Sequence, residues 1–425
     1  MLSKVQLARH IGRRCLSSES TKHCQLLIVG AGSGGLGAAA ILGKKFKTTI
    51  LDPADHHYYQ PYFTLVGGGL KSLDDCRKPM EQVMPTNVKW IKEAVDSFDP
   101  SQNFIVTKNG TTIKYDMLVV ATGIHPDFSS IPGLEEGLKT PNVGSIYSPE
   151  TAPRMIEVLK NFKAGNAIFT FPATQIKCPG APQKIAYLTD EFLSKADKRE
   201  DAKIIYNTAG GVLFGVKKYA DALWKVVEEK EIIVNLQHNL VRVRPDIREA
   251  VFERADKTRV SMSYELLHVT PPMYPLREVA RSSLAEATGF VDIDKLTLQH
   301  KKFDNVFAIG DCTNGLPKTA AAVAACLGVL ADNVVSRSRG EELKAAYNGY
   351  TSCPLTTGFE NCILAEFNGF TSEPMETFPF NQAKERRSMY VLKKDIIPAI
   401  YWKLFVKGRW TGPSTFRRLM RLGFS

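Results

Sequence analysis

The chain alternates short, continuously apolar runs with longer stretches of helix-period character. Cys24–Val29 (CQLLIV) gives way to a glycine cluster and the helix-forming Leu36–Lys45, and a second apolar run, Thr48–Leu51, follows. Apolar runs without polar alternation predict strands buried on both faces, the pattern of a parallel sheet covered by helices. The pattern resumes further on: Asn166–Phe171 and Ala202–Asn207 predict strands, and Lys184–Leu193 and Val216–Glu229 the helices after them. Two more runs, Tyr115–Val120 and Phe303–Ile309, are again strands, the latter leading into an alanine-rich helix predicted over Thr319–Val335.

This is an α/β fold. The order of the units predicts two tandem Rossmann-like dinucleotide-binding domains, the first split by the second. Residues 24–147 and 289–350 make the first, 148–288 the inserted one, and 351–425 a C-terminal region. A chain of 425 residues is long enough for this division, since single cores stop growing at roughly 250–300 residues.

The first glycine cluster, Gly30-Ala31-Gly32-Ser33-Gly34-Gly35, is Gly-x-Gly-x-x-Gly between a strand and a helix. Gly30 permits the tight turn, Gly32 lets the backbone approach a pyrophosphate, and Gly35 lets helix and strand pack closely. Asp52 ends the second strand, where a carboxylate can accept hydrogen bonds from an adenosine ribose. A lone glycine motif is a weak signal; strand, glycines, helix and terminal acid in one unit are a strong one. The stretches ending in Thr122-Gly123 and in Gly310-Asp311 resemble the signatures of the two-dinucleotide-fold flavoproteins. That resemblance implies FAD, with Asp311 near its ribityl chain.

The inserted domain lacks a second fingerprint. Its first strand is followed by Pro172-Ala173-Thr174-Gln175-Ile176-Lys177-Cys178-Pro179-Gly180-Ala181-Pro182, with three prolines and bulky side chains where a pyrophosphate would need bare backbone. This argues against NAD(P)H as electron donor and puts a thiol in its place. Lys177 beside Cys178 and a helix starting near Ala181 favour the thiolate. An isolated cysteine is more often an inert buried side chain; the place of Cys178 in the displaced nucleotide loop favours a redox role.

With these segments on view, the chain resembles the sulfide:quinone oxidoreductases of the mitochondrial type. The resemblance rests on GAGSGG (30–35), YYQPYFTLVGGG (58–69), FPATQIKCPGAPQK (171–184), IGDCTN (309–314), KTAAAVAA (318–325), TSCPLTTG (351–358) and ETFPF (376–380). It implies that Cys178 and Cys353 shuttle sulfur on the re side of FAD through a disulfide or trisulfide bridge. Hydrogen sulfide would be oxidised, the sulfane sulfur passed to glutathione, sulfite or a similar acceptor, and the electrons passed to ubiquinone. It also implies FAD contacts from Ser33, Gly34, Asp52, Gln60, Val95, Asp311, Lys318 and Thr319, with Asp52 in place of the family's common Glu. Phe367, Phe380 and Tyr390 are candidates for the quinone. The third cysteine of bacterial relatives is missing between Gly123 and Ser145, which fits the mitochondrial type.

Charge and composition add location. The first twenty residues carry Lys4, Arg9, Arg13 and Arg14 with no acid before Glu19, the make-up of a mitochondrial transit peptide over 1–20. The net charge of +11 is concentrated at the other end, where residues 384–425 hold eleven Lys/Arg against Glu385 and Asp395. There DIIPAIYWKLFVKG (395–408) is too short to span a bilayer. With Tyr401, Trp402 and Trp410 as interfacial anchors and the basic FRRLMRL (416–422), it predicts peripheral, monotopic binding to the mitochondrial inner membrane. A chain ending near residue 390 is then expected to fold and lose only liposome binding. The eight cysteines show no metal-ligand spacing, and neither a Ser-His-Asp constellation nor a nucleic-acid fold is present. Cys312 reads as structural, and His56-His57 as a polar loop orienting Gln60. The alternatives are a type II NADH:quinone reductase, a sulfide dehydrogenase reducing cytochrome c, and a non-enzymatic flavin-bearing scaffold.

Overall fold

In the computed structural model, residues 22–422 are described, and the predicted leader over 1–20 lies outside them. β1 (Lys22–Val29) runs into the core, and Leu26 to Val29 are fully enclosed. Gly30 then turns the chain at φ +101°, against the carbonyl of Ala121, where a side chain would collide with backbone. α1 (Ser33–Leu42) starts so close to the strand end that a Cβ on Gly35 would strike the Gly30 carbonyl. β2 (Thr48–Leu51), β3 (Lys89–Ile91), β4 (Val95–Asp99), β5 (Phe104–Thr107) and β6 (Thr112–Val120) follow.

The inserted unit contains β7 (Gly165–Phe171), α2 (Ala181–Lys195), β8 (Ala202–Thr208) and α3 (Lys217–Glu229). The chain then returns through β9 (Val306–Ala308), α4 (Ala320–Ser338), the hairpin β10 (Tyr350–Thr356) and β11 (Cys362–Asn368), and α5 (Ile397–Lys403).

Two sheets organise these elements. The first runs β3-β2-β1-β6-β5-β4, and β9 joins it alongside the second half of β6, Phe307 opposite Val119. β6 thus carries an antiparallel meander on its first half and a parallel strand on its second. The second sheet is parallel throughout, in the order 143–144, 266–268, β7, β8, 233–235. A three-stranded antiparallel sheet spans 238–263.

α4 is long and apolar enough to cross a membrane by length and composition, alone among the described residues. It is nonetheless a core helix: Leu327 packs so closely on α1 that a Cβ on Gly37 would lie 2.5 Å from it. The hairpin belongs to the inserted unit, since Cys353, Leu355, Ile363 and Ala365 share that unit's core.

The C-terminal region departs from expectation. Tyr401, Phe405 and Val406 are buried in the core of the first unit, and Trp402 and Trp410 pack against it. Of the aromatics read as interfacial anchors, Tyr401 is therefore turned inward while Trp402 and Trp410 are half-buried, because the small-residue face of α1 leaves room for this segment: Phe405 reaches Gly37, and Gly408 turns against Ala40. Outward-facing apolar side chains lie elsewhere, at Val391, Ile396, Phe416, Leu419 and Leu422.

Candidate active site

The loop after β7 fills itself with its own side chains. Ile176 is buried in the core, Thr174 Oγ1 accepts from the Met273 amide at 3.2 Å, and Asn239 Oδ1 accepts from the Ala173 amide at 3.2 Å. The loop ends pinned to the other half of the molecule, where the Cys178 amide donates to the Lys318 carbonyl at 2.8 Å. Cys178 is held at φ +50°, a left-handed conformation unusual for a side-chain-bearing residue and concentrated at functional sites.

β10 delivers the second thiol. Cys353, opposite Ala365 in the hairpin and 5% exposed, meets Gly180, the residue that caps α2; a Cβ there would lie 2.6 Å from Cys353 Sγ. The structure thus brings Cys178 and Cys353 close to one another as free thiols.

Lys184 joins them. In the first turn of α2 and 3% exposed, it points Nζ to 3.3 Å from Cys178 Sγ and 3.8 Å from Cys353 Sγ. The hydrogen bond from the Cys353 thiol holds Cys178 well below the usual thiol range, and the Lys184 ammonium reinforces this against the opposing effect of burial. The same hydrogen bond, with burial, pushes Cys353 up. Burial works to neutralise Lys184, but its two sulfur neighbours prevail and its pKa is raised.

A second buried lysine, Lys393, donates to the Pro61 carbonyl at 2.6 Å; burial and the nearby Lys184 charge lower its pKa to about 8. Lys177, expected to activate Cys178, is not its partner. Its pKa is lowered to about 8 by burial, against the pull of Asp311 and Glu150. Adjacency in sequence sends consecutive side chains in different directions, whereas the first turn of α2 folds Lys184 back beneath the loop. A lysine inside the buried run Ala181–Leu188 was the signal for it.

The C-terminal ends of β1 and β6 lie side by side, Val29 opposite Val120, at the edge of parallel strands where dinucleotides bind. Thr122 Oγ1 is buried there without a partner, and a Cβ on Gly32 or Gly123 would meet nothing within 4 Å. Asp52 accepts from the amides of Ala31 at 2.6 Å and Ala54 at 2.8 Å, shaping the glycine turn; burial raises its pKa. Asp311 is likewise raised by burial, with Lys318 and Lys177 opposing. The Lys318 ammonium is bonded to the carbonyls of Asp311 and Thr313. Thr319 caps α4 through the Ala322 amide and meets Thr351 Oγ1 at 2.7 Å, two residues from Cys353. This set of groups is chemically suited to FAD: the glycine turn at Gly30, Gly32, Ser33, Gly34 and Gly35 offers backbone amides to a pyrophosphate, Asp52 and Asp311 are acceptors for hydroxyl groups, and Thr122 and Gly123 leave a free hydroxyl and open space beside them. Gln60 is exposed at the start of a short helical turn, and Val95 is buried at the start of β4.

The profile of the pyridine nucleotide-disulphide oxidoreductases matches residues 24–156. The mitochondrial sulfide:quinone oxidoreductase of Mus musculus is 46% identical over 99% of this chain and 94% of its own length; that of Dictyostelium discoideum is 44% identical over 92% and 88%. The chain belongs to the mitochondrial sulfide:quinone oxidoreductases. The crystal structure of the Aquifex aeolicus sulfide:quinone oxidoreductase superposes with a TM-score of 0.80 over 95% of this chain and 96% of that one, at 20% identity, showing the shared fold. As a member of this family the chain is an FAD-dependent oxidoreductase.

Within that family frame, Cys312 is fully buried, its thiol bonded to the Val120 and Ile309 carbonyls and pushed up by burial, in keeping with a structural role. His57 is not part of a polar loop. It is 3% exposed, bonded through Nδ1 to the Ala31 carbonyl and through Nε2 to Tyr401. Of the quinone candidates, Phe367 packs against Phe214, Phe380 stacks on Phe378, and Tyr390 is buried with an unpartnered hydroxyl.

Proposed function

We propose that the chain oxidises hydrogen sulfide at a Cys178–Cys353 bridge, passes the sulfane sulfur to glutathione, sulfite or a similar acceptor, and sends the electrons to ubiquinone at the mitochondrial inner membrane. The observation that carries this reading is the single Lys184 ammonium in contact with both sulfurs. The inserted unit is read as a nucleotide-binding domain that has exchanged its cofactor loop for a thiol loop, and the outward Leu419 and Leu422 with the basic C-terminus as its peripheral membrane contact. The names of the relatives support the organelle.

The chemistry follows from the asymmetry of the pair. The Lys184 ammonium lies nearer Cys178 Sγ, 3.3 Å against 3.8 Å, and so favours that sulfur as the leaving thiolate, and HS⁻ attacks the Cys353 sulfur. The bridge breaks, Cys353 carries a persulfide, and Cys178 leaves as a thiolate stabilised by Lys184. A glutathione thiolate then takes the outer sulfur, leaving Cys353 as a thiolate, and the two thiolates re-form the bridge with release of two electrons. FAD, when bound, supplies the two-electron sink that connects the pair to ubiquinone. The sum is HS⁻ and GS⁻ giving GSS⁻, one proton and two electrons, the electrons and two protons reducing the quinone. A trisulfide bridge serves equally as the resting state.

Anaerobic stopped-flow spectroscopy with sulfide and, separately, NADH tests this. Sulfide should bleach the flavin in the wild type and in neither Cys178→Ser nor Cys353→Ser, and a soluble quinone should restore the colour. Bleaching by NADH with indifference to sulfide would replace this reading with a nucleotide reductase.

A further inference from the structure

We propose that Tyr401 is a positioning residue for the dinucleotide site, and that α5 is a strap that steadies the glycine loop for FAD. The hydrogen bonds at Tyr401 have one consistent set of directions. The Ala31 carbonyl can only accept, so His57 Nδ1, 3.0 Å away, carries the proton. Burial depresses the His57 pKa to about 4, so the ring is neutral and Nε2 accepts. Tyr401, 2.6 Å from Nε2, therefore donates its proton there. The Ser33 hydroxyl, 2.8 Å from the Tyr401 oxygen, must then donate to Tyr401.

Two consequences reach the glycine loop. The Ala31 peptide is fixed on both sides, its amide by Asp52 and its carbonyl by His57. The Ser33 hydroxyl has spent its proton on Tyr401 and has none for a phosphate oxygen, so Ser33 serves the pyrophosphate through its backbone amide. Tyr401 is itself locked by stacking on Phe405, with ring centroids 4.9 Å apart, and by Tyr59 at 4.7 Å. The strap thus acts through Ser33 and His57 rather than by touching the cofactor. The inference rests on FAD binding alone and stands or falls independently of the sulfide chemistry.

The test is a double-mutant cycle read as FAD affinity by fluorescence titration of deflavinated protein. Tyr401→Phe keeps the ring and removes both bonds, so FAD should bind roughly tenfold more weakly, the scale of two net hydrogen bonds. Ser33→Ala should weaken binding by a smaller factor, and adding it to Tyr401→Phe should change nothing further. The Tyr401→Phe apoprotein, which loses the same two buried bonds, should melt below the wild-type apoprotein, and the gap should widen when both proteins are saturated with FAD. Wild-type FAD affinity in Tyr401→Phe would overturn the proposal, as would a Ser33→Ala loss that persists in the Tyr401→Phe background, which would mean direct hydroxyl contact with the cofactor. An apoprotein destabilised as much as the holoprotein would reduce Tyr401 to ordinary packing and overturn it as well.

Discussion

Gly180 and Cys353 are in contact where the start of α2 meets the hairpin, and the contact leaves no room for a methyl group. A Cβ on Gly180 would lie 2.6 Å from Cys353 Sγ and 2.7 Å from a Leu355 methyl. Gly180 itself has ordinary right-handed backbone angles, φ −80° and ψ −6°, so alanine is conformationally acceptable there. The effect of Gly180→Ala is therefore steric and falls on the geometry of the pair. Sulfide turnover should drop by about a hundredfold, the scale of a 1 Å misplacement of reacting groups, while flavin content stays at the wild-type level. Turnover within twofold of wild type would show that the thiols are not held by this contact.

Lys184 sets the reactivity of Cys178. In the reduced enzyme, alkylation by iodoacetamide follows the thiolate fraction, which appears as pH rises through the thiol pKa. Removing the ammonium in Lys184→Met raises that pKa, so the alkylation midpoint for Cys178, followed by mass spectrometry, should move to higher pH. Below the midpoint, the rate at a fixed pH should fall by about tenfold for every pH unit that the midpoint climbs. An unmoved midpoint would mean that the Cys353 hydrogen bond suffices alone.

The parts legible in the sequence are those decided locally. A short apolar run such as Leu26–Val29, followed by glycines, favours a buried strand, and the turn from β1 into α1 has to be glycine at Gly30 and Gly35, so this strand, its turn and helix, and the helix after Thr319 stand where they were expected. The cation at the thiols was not legible as such. Lys177 is the neighbour in sequence, but the partner is Lys184, brought under the loop by helix geometry and completed by Cys353 from a hairpin 175 positions away, 353 against 178. α5 misled for a related reason. A buried strap and an interfacial anchor share one composition, aromatics beside lysines, and the deciding feature lies on α1, whose Gly37 and Ala40 make room for Phe405 and Gly408. His57 is polar in sequence and interior in structure because its two nitrogens both find partners there.

The proposed membrane contact accordingly moves to the last helical turn. Leu419 and Leu422 are 71% and 87% exposed, beside Arg417, Arg418 and Arg421. Leu419→Glu/Leu422→Glu should abolish cosedimentation with liposomes containing anionic lipid, while flavin content and bleaching by sulfide remain. A chain ended at residue 390 should behave differently: removing Tyr401, Phe405 and Val406 from the core costs on the order of 3 kcal/mol or more per large side chain, so that protein should lose flavin as well. Full flavin retention by the shortened chain would return α5 to the surface.

Lys393 gives stability a pH signature. Its folded pKa of about 8 lies below the ordinary 10.5, so between those values the unfolded chain binds more protons than the folded one. Stability contributed through this group therefore rises with pH across that window, by up to about 1.4 kcal/mol per pH unit, and is flat below pH 8, where both states carry the proton. Lys393→Met has nothing to titrate, so the difference in urea-unfolding free energy between variant and wild type should favour the variant most at pH 7 and shrink steadily towards pH 10. A difference that stays constant over that range would mean that Lys393 keeps its proton throughout and is stabilised by contacts other than its bond to Pro61.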